Sequence, residues 1–128
     1  MIGSATSMIP HSLARSLEPV LLKQTNNQLK DISFIKPLSK LKHLSLASNQ
    51  IQDISTIKHC QQLEHLNLSF NPLSHIQPLE SLTQLTVLSL HKNNLTDITP
   101  LKSLLNIEHL YLDENKISNI APLASLTK

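Results

Sequence analysis

The chain has 128 residues, of which 40% are hydrophobic and only 2% are aromatic, so its core has to be built almost entirely from aliphatic side chains. Its net charge of +2 is too small for the basic surface typical of nucleic-acid-binding proteins, and its single glycine excludes a glycine-rich phosphate loop. The single cysteine excludes an internal disulfide and a cysteine-rich zinc site, and the apolar runs fall short of the ~20 residues that span a bilayer.

The first segment along the chain, residues 1–18, precedes the regular part of the sequence. Its residues Met1–Pro10 lack the basic and apolar regions of a secretory signal, which predicts a cytoplasmic protein or one exported without a classical signal peptide. Leu13 and Leu17 are four residues apart, the spacing of one helix face. We therefore expect a short helical cap, or a partly disordered segment, followed by a single domain over residues 19–128.

That domain is a tandem repeat with a period of 22 residues. Hydrophobic side chains recur at repeat positions 1, 4, 6, 11, 14, 17 and 20, and 33 of these 35 places carry one. The exceptions, Pro19 and Gln24, both lie in the first copy. A fixed period of this length indicates stacked units that bury their apolar sides against one another. The five copies occupy residues 19–40, 41–62, 63–84, 85–106 and 107–128.

Each copy is predicted to contain one short strand followed by tight turns. Positions 3 to 7 alternate polar and apolar residues, as in Leu66-Asn67-Leu68, which is the pattern of a strand. Stacked copies would form a parallel sheet with strands ~4.8 Å apart, positions 4 and 6 facing inward and positions 3, 5 and 7 facing outward. The apolar residues that follow are three apart, which matches 3₁₀ turns.

Position 9 is an asparagine in every copy, at the bend that follows the predicted strand. A side-chain amide can donate and accept hydrogen bonds, so it can satisfy backbone groups of the turns above and below it. We interpret this column as a structural ladder and not as a ligand site. Its members are Asn27, Asn49, Asn71, Asn93 and Asn115.

The pattern LxxLxLxxNxIxxIxxLxxL resembles the leucine-rich repeat family. The segments LTDITPL (95–101) and ISNIAPL (117–123) are similar to bacterial internalin-type repeats, and phosphatase-regulator-type proteins share the 22-residue class. The resemblance implies an α/β-type solenoid: part of a right-handed horseshoe with a parallel β-sheet on the concave face and 3₁₀ or irregular turns on the convex face.

The resemblance also implies a non-enzymatic module that binds a partner protein through its concave face. Two settings remain open at this point. The chain could act as a bacterial effector, or as a fragment of a larger leucine-rich repeat protein. It could instead be a regulatory or targeting subunit, or a scaffold arm, of a larger enzyme such as a phosphatase.

The outward columns of the sheet supply the candidate partner-binding residues. Tyr111 is the best single candidate, because interface hot spots are enriched in aromatic anchors with polar surroundings. No set of residues combines a nucleophile, a base and an oxyanion donor, so we predict neither an enzyme nor a bound cofactor. The full set of candidates is His43, Ser45, His65, Asn67, Ser89, His91, His109, Tyr111 and Asp113.

Two further features are interpreted structurally. His43 and His65 should lie ~5 Å apart on neighbouring strands, but no carboxylate or thiolate accompanies them, so a titratable surface patch is favoured over a metal site. Cys60 takes a position that is leucine in the other copies, so we expect a buried, inert thiol and not a nucleophile paired with His59.

Two expectations concern the polar turns and the last copy. Asp53, Asp97 and their counterparts at position 13 are predicted to cap local backbone amides, in preference to forming a calcium ladder. Repeat arrays need polar end caps, and nothing follows the fifth copy, so we expect self-association or continuation through that end. The apolar residues concerned are Leu110, Leu112, Ile117, Ile120 and Leu123.

Overall fold

The computed structural model describes residues 21–126, so the predicted cap at residues 1–18 lies outside the described part. Five strands form one parallel sheet in the order β1 to β5, and each strand begins 22 residues after the one before it. This confirms the predicted parallel sheet with one strand for each repeat. The strands are Leu21–Lys23 (β1), His43–Ser45 (β2), His65–Asn67 (β3), Val87–Ser89 (β4) and His109–Tyr111 (β5).

A short 3₁₀ helix follows each strand on the opposite side of the coil, which confirms the convex side predicted from the three-residue apolar spacing. Three of these helices have a proline in their first turn, where a missing backbone N–H breaks no helical hydrogen bond. With three to five residues each, none of the helices of residues 21–126 can span a bilayer. Their bounds are Ser33–Ile35, Ser55–His59, Gln77–Ser81, Thr99–Ser103 and Ala121–Ser125.

The strands pair in register, so that equivalent repeat positions lie beside one another. Leu66 of β3, for example, pairs with Leu44 on one side and with Leu88 on the other. The apolar columns therefore stack into one continuous aliphatic core that runs from Leu29 to Ile107. Burying one such side chain contributes about 1.5–3 kcal/mol, and each copy obtains most of this from its neighbours.

The asparagine column joins successive coils through the backbone. The Asn71 side-chain N–H groups donate to the carbonyls of Leu46, Leu68 and Ser69 at 3.0–3.1 Å, and its Oδ1 accepts the N–H of Ile51 at 3.1 Å. These bonds reach Asn71's own coil and the preceding coil, whereas bonds to both neighbouring coils were expected. The next asparagine along the column makes the connection to the following coil. The same arrangement is found at Asn49, Asn93 and Asn115.

The aspartates at position 13 bind the start of the 3₁₀ helices. Asp53 Oδ1 accepts the Ser55 backbone N–H at 2.9 Å, and Asp97 Oδ1 accepts the Thr99 backbone N–H at 2.9 Å and its hydroxyl at 2.6 Å. The Ser55 backbone bond lowers the pKa of Asp53, and the Thr99 hydroxyl followed by its backbone N–H lowers the pKa of Asp97. The predicted local capping is confirmed. Equivalent bonds are made by Asp31 and Asn119.

Side chains of the fifth copy are less covered than their counterparts in the fourth. Ile98 is buried, whereas Ile120, one coil later, is 68% exposed. Leu110 and Leu123 are partly buried and pack against the core from one side. Self-association or continuation through this surface remains a prediction.

Candidate protein-binding face

The outward side chains of the sheet and of the turns after it line an open groove of about 830 Å³, which we call the concave groove. Eight of the nine candidate partner-binding residues line it. His109 is exposed on β5 but does not line the groove. The eight are His43, Ser45, His65, Asn67, Ser89, His91, Tyr111 and Asp113.

His43 and His65 lie side by side on β2 and β3, as their register predicted. Their ring centroids are 4.4 Å apart and the ring planes are inclined at 65°, an edge-to-face contact. Within residues 21–126 this pair does not belong to any group of three side chains that could share a metal ion. The two imidazoles therefore form a polar wall of the groove.

The centre of the groove is held in place by polar contacts among its own residues. The Ser69 and Ser89 hydroxyl oxygens are 2.5 Å apart, and Asn67 Oδ1 accepts the Ser69 backbone N–H at 3.0 Å. Although position 7 faces outward, Ser69 is only 5% exposed because its neighbours cover it. The alternation of polar and apolar residues predicted a solvent-exposed side chain at position 7, and this prediction is wrong for Ser69. The middle of the groove is thus a small, rigid polar floor.

His91 lies between two carboxylates of the next coil. Its Nδ1 is 2.6 Å from Asp113 Oδ2, and its Nε2 is 3.4 Å from Glu114 Oε2. The hydrogen bond from His91 lowers the pKa of Asp113, which keeps this carboxylate ionised at neutral pH. Both His91 and Asp113 were candidates from the sequence, but their direct contact and the participation of Glu114 were not expected.

Position 8 of every copy has a left-handed backbone, with φ between 55° and 61°. Asparagine accepts this conformation readily, but other non-glycine residues lose about 1–2 kcal/mol there. Three of these side chains, those of Asn26, Ser48 and Phe70, line the concave groove. None of the candidate partner-binding residues was chosen from this column, whose members are Asn26, Ser48, Phe70, Lys92 and Glu114.

Phe70 is the main functional candidate that the sequence analysis missed. It is 46% exposed, lines the groove and lies 5.1 Å from the His91 ring in an edge-to-face contact. The Lys92 ammonium is 5.7 Å from its ring centroid, a cation–π distance. The available signal was an aromatic residue in an otherwise polar column. Together with Tyr111, which is 50% exposed, Phe70 gives the groove two aromatic contact points.

A family model described as Leucine Rich repeats (2 copies) matches this sequence four times in overlapping windows. The matches cover residues 21–59, 39–81, 61–103 and 83–125. The chain belongs to the leucine-rich repeat family. A search of curated proteins found no match.

Solved structures of bacterial leucine-rich repeat proteins superimpose on the chain. An internalin (inlF) of Listeria monocytogenes is 33% identical with a TM-score of 0.81, over 83% of this chain and 31% of its own. An internalin C2 (inlC2) of the same organism is 33% identical with a TM-score of 0.83, over 85% and 48%. A leucine-rich repeat protein of Leptospira interrogans is 27% identical with a TM-score of 0.76, over 84% and 29%. The likeness to internalin-type repeats is confirmed, and this chain spans less than half of each of these proteins.

Proposed function

We propose that this leucine-rich repeat chain binds another protein through its concave groove and performs no catalysis. The leucine-rich repeat fold is commonly a protein–protein interaction module, and its curved inner sheet is the usual contact surface. The observation that carries the proposal is the exposure of Phe70 and Tyr111 in a single groove. Exposed aromatic side chains with polar surroundings are the groups that contribute most to protein interfaces.

The backbone conformation of Phe70 also supports this proposal. A phenylalanine at φ 59° destabilises the folded state relative to asparagine, which the first copy carries at the same position. Half of the ring remains in solvent, so burial in the core does not offset this cost. Residues that lower stability in this way are typical of binding sites, where the side chain contributes to affinity.

The two hydroxyls at the centre of the groove and the single thiol of the chain are not arranged as nucleophiles, which supports a binding role over a catalytic one. The hydroxyls of Ser69 and Ser89 contact each other, and within residues 21–126 neither is hydrogen-bonded to an imidazole. The Cys60 thiol is fully buried and lies 3.6 Å from the Ile35 carbonyl. A nucleophile needs an adjacent base and access to substrate.

The likeness to Listeria and Leptospira proteins supports a bacterial setting for this interaction. The internalins are proteins of a bacterium, and their repeats align with most of this chain. We propose that the chain is the interaction region of a bacterial protein whose partner is another protein. The charge arrangement of the groove, with Lys23 at the β1 end and Asp113 at the β5 end, would orient that partner.

Affinity capture with matched variants tests the proposal. The bait is wild type, a concave variant carrying Phe70→Ala and Tyr111→Ala, or a convex control carrying Lys58→Ala and His59→Ala. Proteins captured from bacterial and host extracts are identified by mass spectrometry, and affinities are then measured with purified partner. We expect wild type and the convex control to bind equally and the concave variant to bind at least tenfold more weakly. Full binding by the concave variant would refute the assignment of this surface.

A further inference from the structure

We propose that His91 and Glu114 form a binding site for a divalent transition-metal ion of the Zn²⁺ class, with Asp113 as the residue that orients the imidazole. The site lies at the β5 end of the concave groove, where position 7 of one coil meets positions 7 and 8 of the next. This inference is separate from the proposed protein-binding function and does not depend on it.

One of the two ring nitrogens of His91, Nδ1, is hydrogen-bonded to Asp113. His91 Nδ1 is 2.6 Å from Asp113 Oδ2, so Nδ1 carries a proton and donates it to the ionised carboxylate. In the proposed metal-bound form, Nδ1 keeps this proton and Nε2 supplies the lone pair that binds the ion. A carboxylate that accepts one imidazole N–H while the other nitrogen binds metal is the usual arrangement around metal-ligating histidines.

The distance across the site also supports the proposal. His91 Nε2 and Glu114 Oε2 are 3.4 Å apart, so both atoms can contact a single ion placed between them. A tetrahedral Zn²⁺ with bonds of 2.0–2.1 Å separates its ligand atoms by about 3.3 Å. The observed separation therefore fits two ligands of one ion, and one ligand atom from each of the three residues lies within 4.8 Å of the others.

The charges and ligand atoms of the site also suit a divalent transition-metal ion. The carboxylates of Asp113 and Glu114 together offset the two positive charges of the ion. Lys92, the neighbouring cation, places its ammonium over the Phe70 ring. An imidazole nitrogen favours Zn²⁺, Co²⁺ or Ni²⁺ over Ca²⁺ and Mg²⁺, which prefer oxygen ligands. Two protein ligands leave the other coordination positions to solvent, so the expected affinity is modest.

The chain offers a matched internal control for this site. His43 and His65 are also adjacent in the groove, with ring centroids 4.4 Å apart, but no carboxylate of residues 21–126 completes a metal-binding group with them. A metal that binds surface histidines without selectivity would use this pair. Binding of a metal ion at the His91 site would not require the His43–His65 pair.

Isothermal titration of the full chain, free of any histidine tag, with ZnCl₂ at pH 7.5 tests the proposal. We expect one bound Zn²⁺ for wild type and for the His43→Ala/His65→Ala control, with affinities within twofold of each other. We expect binding to be lost in His91→Ala and to weaken at least tenfold in Glu114→Gln. Asp113→Asn should weaken it by about tenfold, the usual effect of losing the partner of a ligating histidine. CaCl₂ should not bind at the same site.

Thermal unfolding without metal separates loss of the site from loss of the fold. All four variants should melt close to wild type, because the side chains involved are on the groove surface. Absence of Zn²⁺ binding by wild type, or binding that survives His91→Ala, would overturn the proposal. It would also be overturned if Ca²⁺ bound as tightly as Zn²⁺, or if only the His43→Ala/His65→Ala control lost binding. Unchanged affinity in Asp113→Asn would refute the orienting role.

Discussion

Phe70 lies edge-on to the His91 imidazole, with the ring centroids 5.1 Å apart and the ring planes inclined at 65°. The two residues belong to adjacent coils, and this contact forms part of the rim of the concave groove. It places an exposed aromatic ring beside a side chain that is itself held by Asp113. Contacts between neighbouring coils therefore contribute to the geometry of the groove.

Replacing Phe70 by asparagine should increase stability while it weakens partner binding. Asparagine accepts φ near 59° with less strain, which gains about 1–2 kcal/mol. Loss of the contacts with His91 and Lys92 removes about 0.5–1 kcal/mol of that gain. We expect the free energy of unfolding, measured by urea denaturation, to rise by up to about 1.5 kcal/mol. Tyr111→Asn, in a regular strand, should not stabilise the protein, and a loss of more than 1 kcal/mol for Phe70→Asn would contradict the strain argument.

Replacing Asn71 by alanine should destabilise the protein by about 1–3 kcal/mol. The substitution leaves the buried Ile51 N–H without its partner, and an unpaired buried polar group costs about 1–3 kcal/mol. The carbonyls of Leu46, Leu68 and Ser69 each lose one donor but keep a second, from Asn49, Asn93 and the Ser48 N–H respectively. The matched control is Asn94→Ala, because Asn94 is exposed, and it should change stability by less than about 0.5 kcal/mol. Equal urea midpoints for both variants would show that the ladder bonds contribute nothing to stability.

Asp53 and Asp97 should contribute to a loss of stability in acid. Their pKa values are lowered in the folded state, so the unfolded chain binds protons more readily. Their stabilisation is complete above the unfolded pKa of about 3.9 and disappears as the pH falls through the lower folded pKa. The fall in melting temperature between pH 5 and pH 2 should be smaller in Asp53→Asn/Asp97→Asn than in wild type. Glu108→Gln is the control, and an undiminished fall in the double variant would disprove the linkage.

The Cys60 thiol should be protected from alkylation in the native protein. Its side chain is fully buried in the apolar column, so reaction requires transient opening of the coil. We expect the native thiol to react with Ellman's reagent at least ~100-fold more slowly than in 6 M guanidinium chloride. The variant Cys60→Leu/Ser74→Cys, with its thiol on the surface, should react rapidly under both conditions. Fast reaction of native wild type would contradict the buried assignment.

The sequence predicted the parts of this structure that depend on burial. The column that contains Leu66 accepts only apolar side chains, so the 22-residue period can be read from the sequence. This period determines which residues stack on one another. The Asn71 column is equally constrained, because its amide has to satisfy four backbone groups at once. Constraints that repeat in every copy leave a repeating signal in the sequence.

The contacts in the concave groove could not be predicted in the same way. The repeat register places His91 beside Asp113. The contact of Glu114 with the second imidazole nitrogen depends on side-chain rotamers, which a periodic sequence pattern does not predict. The left-handed backbone at Phe70 could not be predicted from the sequence either. The column lacks glycine, and only Asn26 is a residue that favours positive φ. Surface contacts differ from copy to copy, so the repeat itself carries no information about them.

The central claim is that the concave groove contacts the partner protein, and site-specific photocrosslinking tests it most directly. The photoreactive analogue benzoylphenylalanine replaces Tyr111 in the groove or, in a separate sample, His59 on the convex side. Each sample is irradiated with the partner identified by affinity capture. We predict a crosslinked complex from position 111 and none from position 59. A crosslink from position 59 together with none from position 111 would contradict the claim.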